Sequence, residues 1–582
     1  MNPETKTCQN CKQNFVIEPE DFQFYEKIQV PPPTWCPGCR AIRRLSFWNE
    51  HNLYRATHHK TGKEIFSAYP KTSGAKLYDH DYWWSDGWDA SEYARDYDFS
   101  KTFFEQFREL FYAVPWAALS IWHLNNSDYC NNGNRLKDCY LCFDADESEN
   151  CFYGVGFRHC SNSFDFSEAN YLESCYGLLS CDRCNQTFMS VESDDCQNVW
   201  FSRECYNCQN CFGCVNLRHK QYHIFNVPYT KEEYLEKIKE FNLGSYRALE
   251  AIQKQIYPFW LKHPFKYIHG HHNENVIGDY VYHAKNAKYC YQVIKDIKDL
   301  KYCERVVNGA ADCYDYTHWG DNSELMYESI ICGENCRQVK FSFECWPACE
   351  EVEYSAHCHS STHLFGCVGL KKKSYCIFNK QYSREDFHKL REKIITHMNE
   401  KPFTDHRGRI YRYGEFFPLE ISPFAYNETI AQDLFLLTKD AATQKGFRWR
   451  DPEAKEFKVT LGASDLPDHI RDVPEDILKE TIGCLGCKKA YRILASELEF
   501  YKKFEISLPR LCHACRHQAR IKLRNSPKWY LRQCMCDYQK YSNTIPHRHH
   551  ETGPCSNQFH TTYALNRPEI VYCESCYNLE VN

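Results

Sequence analysis

Residues 212–226 read FGCVNLRHKQYHIFN, and residues 365–379 read FGCVGLKKKSYCIFN. Ten of the fifteen positions are identical at a constant offset of 153. The same offset relates Cys160 to Cys313, Cys196 to Cys349, Val199 to Val352, Ser202 to Ser355 and Cys205 to Cys358. Residues 125–228 and 276–382 are therefore two copies of one unit. Within the first copy a shorter step of 21 recurs: Cys130 and Cys151, Cys139, Cys160 and Cys181, Cys175 and Cys196, Cys184 and Cys205. A period near 20 without helical spacing, rich in Asn, Asp, Ser, Tyr and Phe, signals stacked coils. Short runs between turns favour strands. The expected fold is mainly β: two parallel β-solenoid units of about 21 residues per coil, about five coils each.

Each copy closes alike. HIFNVPY is followed by TKEEYLEKIKEF, with Thr230 and Glu233 placed as a helix start, and CIFNKQY by SREDFHKLREKI, with Ser383 and Asp386. A solenoid's last coil exposes unpaired strand edge, so the repeated ending predicts an end-cap.

The ends of the chain carry a second duplication. Cys8, Cys11, Cys36 and Cys39 and, 476 residues later, Cys484, Cys487, Cys512 and Cys515 share one spacing, C-x2-C, twenty-four residues, C-x2-C. At that shift Phe24-Tyr25 matches Phe500-Tyr501, and Arg40 matches Arg516. Two C-x2-C turns complete a closed tetrahedral S4 shell for zinc. The order of knuckle, hairpin and helix N-terminus resembles the zinc-ribbon, treble-clef domain family over about 45 residues at each end, which implies zinc binding and no defined activity. A third site follows, with Cys555, Cys573 and Cys576 as ligands and Cys534 as the fourth; Cys536 or one of His547, His549 and His550 is the alternative. The closing segment FHTTYALNRPEIVYCESCYNLEV is similar to the C-terminal ribbon of uncharacterised Cys-rich multi-zinc-ribbon proteins of candidate-phyla bacteria. That resemblance implies no activity. About three structural zinc ions are expected.

The chain divides accordingly into an N-terminal treble-clef module (1–60), an aromatic-rich connector with a helical cap (61–124), the first solenoid (125–228), a capping helix and linker (229–275), the second solenoid (276–382), a capping helix and Pro-punctuated connector (383–480), a second treble-clef module (481–530) and a zinc ribbon (531–582). The helix near Ser100 presents Phe103, Phe104, Phe107, Leu110 and Phe111 on one face, as a cover for the first solenoid's end. The HGHHN stretch, with His269, His271 and His272, reads as a solvated loop.

The remaining cysteines raise the chemical question. Cys205, Cys208, Cys211 and Cys214 lie three apart and are candidate extra metal ligands. The final spacing and Val215 depart from the iron–sulfur pattern and argue against a cluster. As inward ladders, such thiols would simply pack as small hydrophobes.

Basic residues gather behind the knuckles: Arg40, Arg43 and Arg44, then Arg516, Arg520, Lys522 and Arg524, a candidate nucleic-acid surface. No G-x-S-x-G, Walker A, dinucleotide or H-E-x-x-H motif is present. The chain thus reads as a non-enzymatic, zinc-stabilised binding or scaffold protein with nucleic acid or a ribonucleoprotein as partner. A carbohydrate-active β-helix enzyme would instead place Trp83, Trp84 and Trp88 in one groove with stacked rows Asp144/Asp165 and Glu147/Glu168. A thiol-rich metal or redox store would expose its solenoid cysteines. The start, MNPETKTCQNC, has no signal-peptide pattern, and no apolar run is long enough to span a membrane, so a cytoplasmic protein is expected.

Overall fold

Asn131 pairs in parallel with Phe143, Phe143 with Val155 and Val155 with Ser167 in the computed structural model, which describes residues 2–451, 458–541, 543, 545–547, 549–550 and 553–581. Each step is twelve residues, not 21. The mainly β, two-solenoid architecture stands; the expected coil length is corrected. The cause lies in a smaller unit. Cys130, Leu136, Cys139, Cys142, Ala145, Ser148, Cys151 and onward to Cys214 all point inward at multiples of three. After Cys130, the residue before each inward one has a positive φ, near +50° at Asp138, Leu141, Asp144 and Glu147. A coil is a square of four three-residue sides turned by left-handed corners. Both 21 and 153 are multiples of three, so cysteines at those offsets share a phase without sharing a column.

Left-handed corners cost L-residues energy, and the ladder offsets it. The corner N–H donates to the coil before (Asn150 to the Lys137 carbonyl, 2.9 Å), and the outward residue's N–H to the coil after (Glu149 to Cys160, 3.0 Å). The inward N–H is left over, and inward serines take it. Cys160 N–H donates to Ser148 Oγ at 2.9 Å and Cys205 N–H to Ser193 Oγ at 3.3 Å. The same serine hydroxyls donate to the carbonyl two residues back (Ser148 to Asp146, 2.8 Å). Inward cysteine thiols do likewise, which is the accounting that makes Cys and Ser suit this narrow interior.

The second solenoid opens on an eleven-residue step, Gly270 to Val281, continues with thirteen, Tyr291 to Glu304 to Thr317, and ends with twelve, Glu350 to Thr362. The extra residue sits at one corner, where both members of Lys295–Asp296, Asn308–Gly309, Asp321–Asn322 and Glu334–Asn335 have positive φ.

The repeated IFN is a molecular stopper. Asn226 accepts from Val215 N–H and donates to the Val215 carbonyl, both at 2.9 Å. Asn379 does the same to Val368, both at 2.8 Å. The side-chain amide supplies the backbone pairing that a further coil would have supplied. Helices Lys231–Glu240 and Arg384–Glu400 follow, N-capped by Thr230 and Ser383 as expected.

Two placements differ from expectation. The helix Phe103–Ala113 covers the second solenoid, not the first: Phe103 packs on Tyr354, Phe365 and Phe378. Its neighbours Asp98 and Thr102 fix its start, but nothing local in the sequence selects which solenoid receives it. His269 is buried rather than solvated, between Glu192 (3.1 Å) and Asp279 (2.8 Å).

Candidate metal centres and the inter-solenoid groove

Three four-cysteine groups assemble where the spacing places them: Cys8, Cys11, Cys36 and Cys39; Cys484, Cys487, Cys512 and Cys515; and Cys534, Cys555, Cys573 and Cys576. Sulfur separations of 3.7 Å (Cys11–Cys36), 3.8 Å (Cys484–Cys515) and 3.6 Å (Cys487–Cys512) match the edge of a tetrahedron with metal–sulfur bonds of about 2.3 Å. In each group one sulfur accepts a backbone N–H: Cys8 from Cys36, Cys484 from Cys512, Cys534 from Cys573. Lys12 and Lys488, both at φ 62°, turn the first knuckle of each duplicated module. Cys36 and Cys512 N-cap the helices Pro37–Leu45 and His513–Ile521, so the second pair of thiols sits at a helix start. Helices Pro19–Lys27 and Ala495–Lys503 fill the segment between the pairs.

The arginines expected to meet nucleic acid are instead locked inside. On the first module's helix, Arg40 lies 2.7 Å and Arg44 3.1 Å from Asp315, while Arg43 reaches Glu328 and Glu415, both at 2.9 Å. On the second, Arg516 lies 2.7 Å and Arg520 3.2 Å from Asp165, and Arg524 3.2 Å from Glu168. Arg40, Arg43, Arg44, Arg520 and Arg524 are buried and Arg516 is nearly so, which leaves none of them a face for phosphate; Lys522 alone is exposed. Burial opposes the charge on Arg40, but the Asp315 carboxylate together with Tyr25 and Tyr327 outweighs it and holds the guanidinium protonated. The two modules thus dock by one device. Phe24 stacks on Tyr314 (3.9 Å) and Tyr25 meets Tyr327 (5.5 Å) on the second solenoid. Phe500 meets Phe164 (4.5 Å) and Tyr501 meets Tyr176 (5.5 Å) on the first. The N-terminal module serves the C-terminal solenoid, and the reverse.

Every cysteine from Cys130 to Cys376 is buried. Cys205, Cys208, Cys211 and Cys214 occupy the four sides of a single coil. Each thiol lies 3.4–3.5 Å from the carbonyl two residues back, the position of a protonated donor. An exposed thiol store is therefore not what this interior presents.

Between the solenoids runs a groove of about 1200 Å³. One wall is a column of successive coils, Asp146, Arg158, Asn170, Asp182 and Asp194, at twelve-residue steps. The opposite wall carries Gln292, Arg305, His318 and Ile331 at thirteen. Trp84, Trp122, Trp319 and Trp346 form a half-buried aromatic end: Trp84–Trp122 are 4.7 Å apart and Trp319–Trp346 5.1 Å. The expected carboxylate rows do not form, because 21 is not a multiple of twelve. Asp144 shares a column with Gly156 and Glu168 and lines the groove; Asp165 is committed to the arginine lock, and Glu147 pairs with Arg135 on the surface. Trp83 is buried and Trp88 donates to its carbonyl at 2.7 Å, so only Trp84 of that trio reaches the groove.

The groove's charges are set by burial and by one another. Burial, then the Asp182 carboxylate, push Asp194 up to about 7. Burial also raises Asp146, whose Oδ1 is enclosed with no hydrogen-bond partner among the described residues. For Asp144 burial is outweighed by His318 and Arg305, and it lies below the usual carboxylate range. Burial brings His318 down to about 4. Asp146, Asp182, Asp194, Trp122, Trp319 and Trp346 escaped sequence reading; the spacing 146, 158, 170, 182, 194 was the available signal.

No protein-family model and no curated protein matches this chain. Among the described residues no helix is long and apolar enough to cross a membrane.

Proposed function

We propose that this is a non-enzymatic, zinc-stabilised binding protein whose ligand, an extended neutral glycan, lies in the inter-solenoid groove. The observation that carries the reading is the joint presence, in one groove, of the four-tryptophan end and the polar column from Asp146 to Asp194. Aromatic faces take the apolar faces of sugar rings, and the column offers donors and acceptors at the repeat of one coil, about 4.8 Å. Carboxyl side chains outnumber the arginines and lysines lining the groove, eight to five, which disfavours a phosphodiester chain. Zinc is the fitting ion for closed S4 shells, and the zinc modules act as braces that fix the two walls. Free thiols throughout the described chain suit a reducing compartment such as the cytoplasm.

Titration of the intact protein with neutral oligosaccharides and with single-stranded RNA, followed by tryptophan fluorescence and calorimetry, tests the reading. Glycan binding that weakens about tenfold, or about 1.4 kcal/mol, in Trp84→Ala and Trp122→Ala supports it. RNA binding without glycan binding overturns it.

A further inference from the structure

We infer that the C-terminal ribbon holds two metal ions, not one, joined through the thiolate of Cys576. Besides the four cysteines Cys534, Cys555, Cys573 and Cys576, a second tetrad of Cys536, His547, His550 and again Cys576 has all its ligand atoms within 4.8 Å of one another. Cys536 Sγ lies 3.4 Å from His547 Nδ1, His547 Nδ1 3.3 Å from His550 Nε2, and His550 Nε2 3.3 Å from Cys576 Sγ. Zinc bonds of about 2.3 Å to sulfur and about 2.0 Å to nitrogen give tetrahedral edges of about 3.3 Å for N–N and about 3.5 Å for S–N. The three separations fall at those edges.

The surroundings of the second tetrad are those of metal ligands. In a metal-bound imidazole the nitrogen away from the ion donates to a carboxylate or carbonyl, which fixes the tautomer. His547 Nε2 lies 3.0 Å from Glu580 Oε1, and His550 Nδ1 lies 3.2 Å from the Gly553 carbonyl. Both histidines therefore turn their remaining nitrogen to the same point. Cys536 accepts from Asn543 Nδ2 at 3.2 Å, and Tyr572 donates to that amide's oxygen at 2.8 Å, so the amide presents its nitrogen to the sulfur. Cys536 and His547 are fully buried. A single ion on the four cysteines would leave this oriented, buried set without a charge to face.

Sequence supplies the arrangement in two short motifs. Cys534-Met535-Cys536 follows the strand Tyr530–Gln533 and gives one thiol to each tetrad. In His547-x2-His550 the turn brings both imidazoles to one ion. Cys576 lies in the first turn of the final helix, Glu574–Val581, and belongs to both groups. Seven ligands thus serve two tetrahedral sites by sharing one sulfur. His549 Nε2 also approaches Cys576, at 3.1 Å, but His549 is exposed. A borderline divalent ion that takes thiolate and imidazole, such as zinc, is the class expected in both positions.

Metal content and cobalt substitution of the full chain decide the matter. The native protein is expected to carry four zinc ions per chain, and His547→Gln/His550→Gln three, with His549→Gln unchanged at four. In the cobalt-loaded native chain the bridging thiolate couples two of the four ions, so the low-temperature spin count falls to about half the cobalt content. Three ions in the native chain, or a full spin count, overturns the shared site. A double variant that still binds four removes the histidines from it. Should the double variant fail to fold, the spin count of the native chain alone settles the question.

Discussion

Arg305 Nη2 lies 2.8 Å from Asp144 Oδ2, so one guanidinium of the second solenoid grips a corner residue of the first. The same Arg305 pairs with both oxygens of Glu50 from the N-terminal module, at 2.5 and 2.9 Å. Three parts of the chain converge on a single buried cation in the wall of the groove. Replacing it by Arg305→Met leaves two enclosed carboxylates without their partner. Breaking a buried pair from one side costs about 3–5 kcal/mol. Thermal and urea unfolding should show that loss, whereas Arg183→Met, which removes an exposed partner of Asp195, should change stability by less than about 1 kcal/mol. Equal effects in the two variants would mean that the junction at Arg305 carries no special load.

The asparagine stoppers give a second, independent test. Asn379→Leu removes both bonds to Val368 and leaves its N–H and carbonyl buried without partners, a cost of about 1–3 kcal/mol for each group. Asn226→Leu removes the equivalent bonds at a site more open to water, so its cost should be smaller. Amide exchange at Val368 and Val215 reads this directly. Acceleration at both, larger in stability terms at Val368, is expected; unchanged protection would show that the capping helices alone seal the coils.

Much of this was legible in the sequence, and what was not had a definite cause. The FGCV…IFN echo revealed two units, and matched C-x2-C pairs revealed two modules, because covalent spacing alone dictates both. Coil length did not emerge, because inward cysteines recur wherever an offset is divisible by three. Aromatic columns such as Tyr140, Phe152, Phe164, Tyr176 and Phe188 carried the true twelve-residue step, disguised by changes of residue type. The arginines are illegible for a different reason. Arg44 and Arg520 find Asp315 and Asp165, partners 271 and 355 residues away. Nothing near an arginine in sequence distinguishes a buried lock from a solvated patch.

Thiol chemistry separates the two classes of cysteine. The solenoid thiols are enclosed, and burial raises several of them, among them Cys160 and Cys313, each to about 12. Thiolate is the reactive form. Alkylation of the native protein should spare Cys130 to Cys376 over hours. Chelation should expose the module cysteines first, Cys11 and Cys487 foremost, since these are the exposed members of their groups. Peptide mapping after a short iodoacetamide pulse checks the order; early labelling at Cys205, Cys208, Cys211 or Cys214 would contradict the packed interior.

The last prediction concerns pH. Asp194 is raised to about 7 in the folded chain by burial and by Asp182, against about 3.9 for an unfolded aspartate. The folded protein therefore holds a proton here that the unfolded chain releases. Stability contributed by that proton is full below about pH 4 and is lost as pH rises to about 7, with no further change above. Many groups titrate across this range, so the signal is the difference between wild type and Asp194→Asn. Asp194→Asn should gain stability relative to wild type from pH 4 to 7 and then run parallel to it. The Asp182 amide donates to Asp194 Oδ1 at 2.9 Å, and Asn170 donates to Asp182 through its backbone at 2.9 Å and its side chain at 3.1 Å. The asparagine at position 194 can keep its acceptor oxygen on the first of these bonds, so the substitution isolates the charge from the ladder. A difference curve flat from pH 4 to 8 would place the Asp194 proton outside this window, and with it the reading of this wall of the groove as partly uncharged near neutral pH.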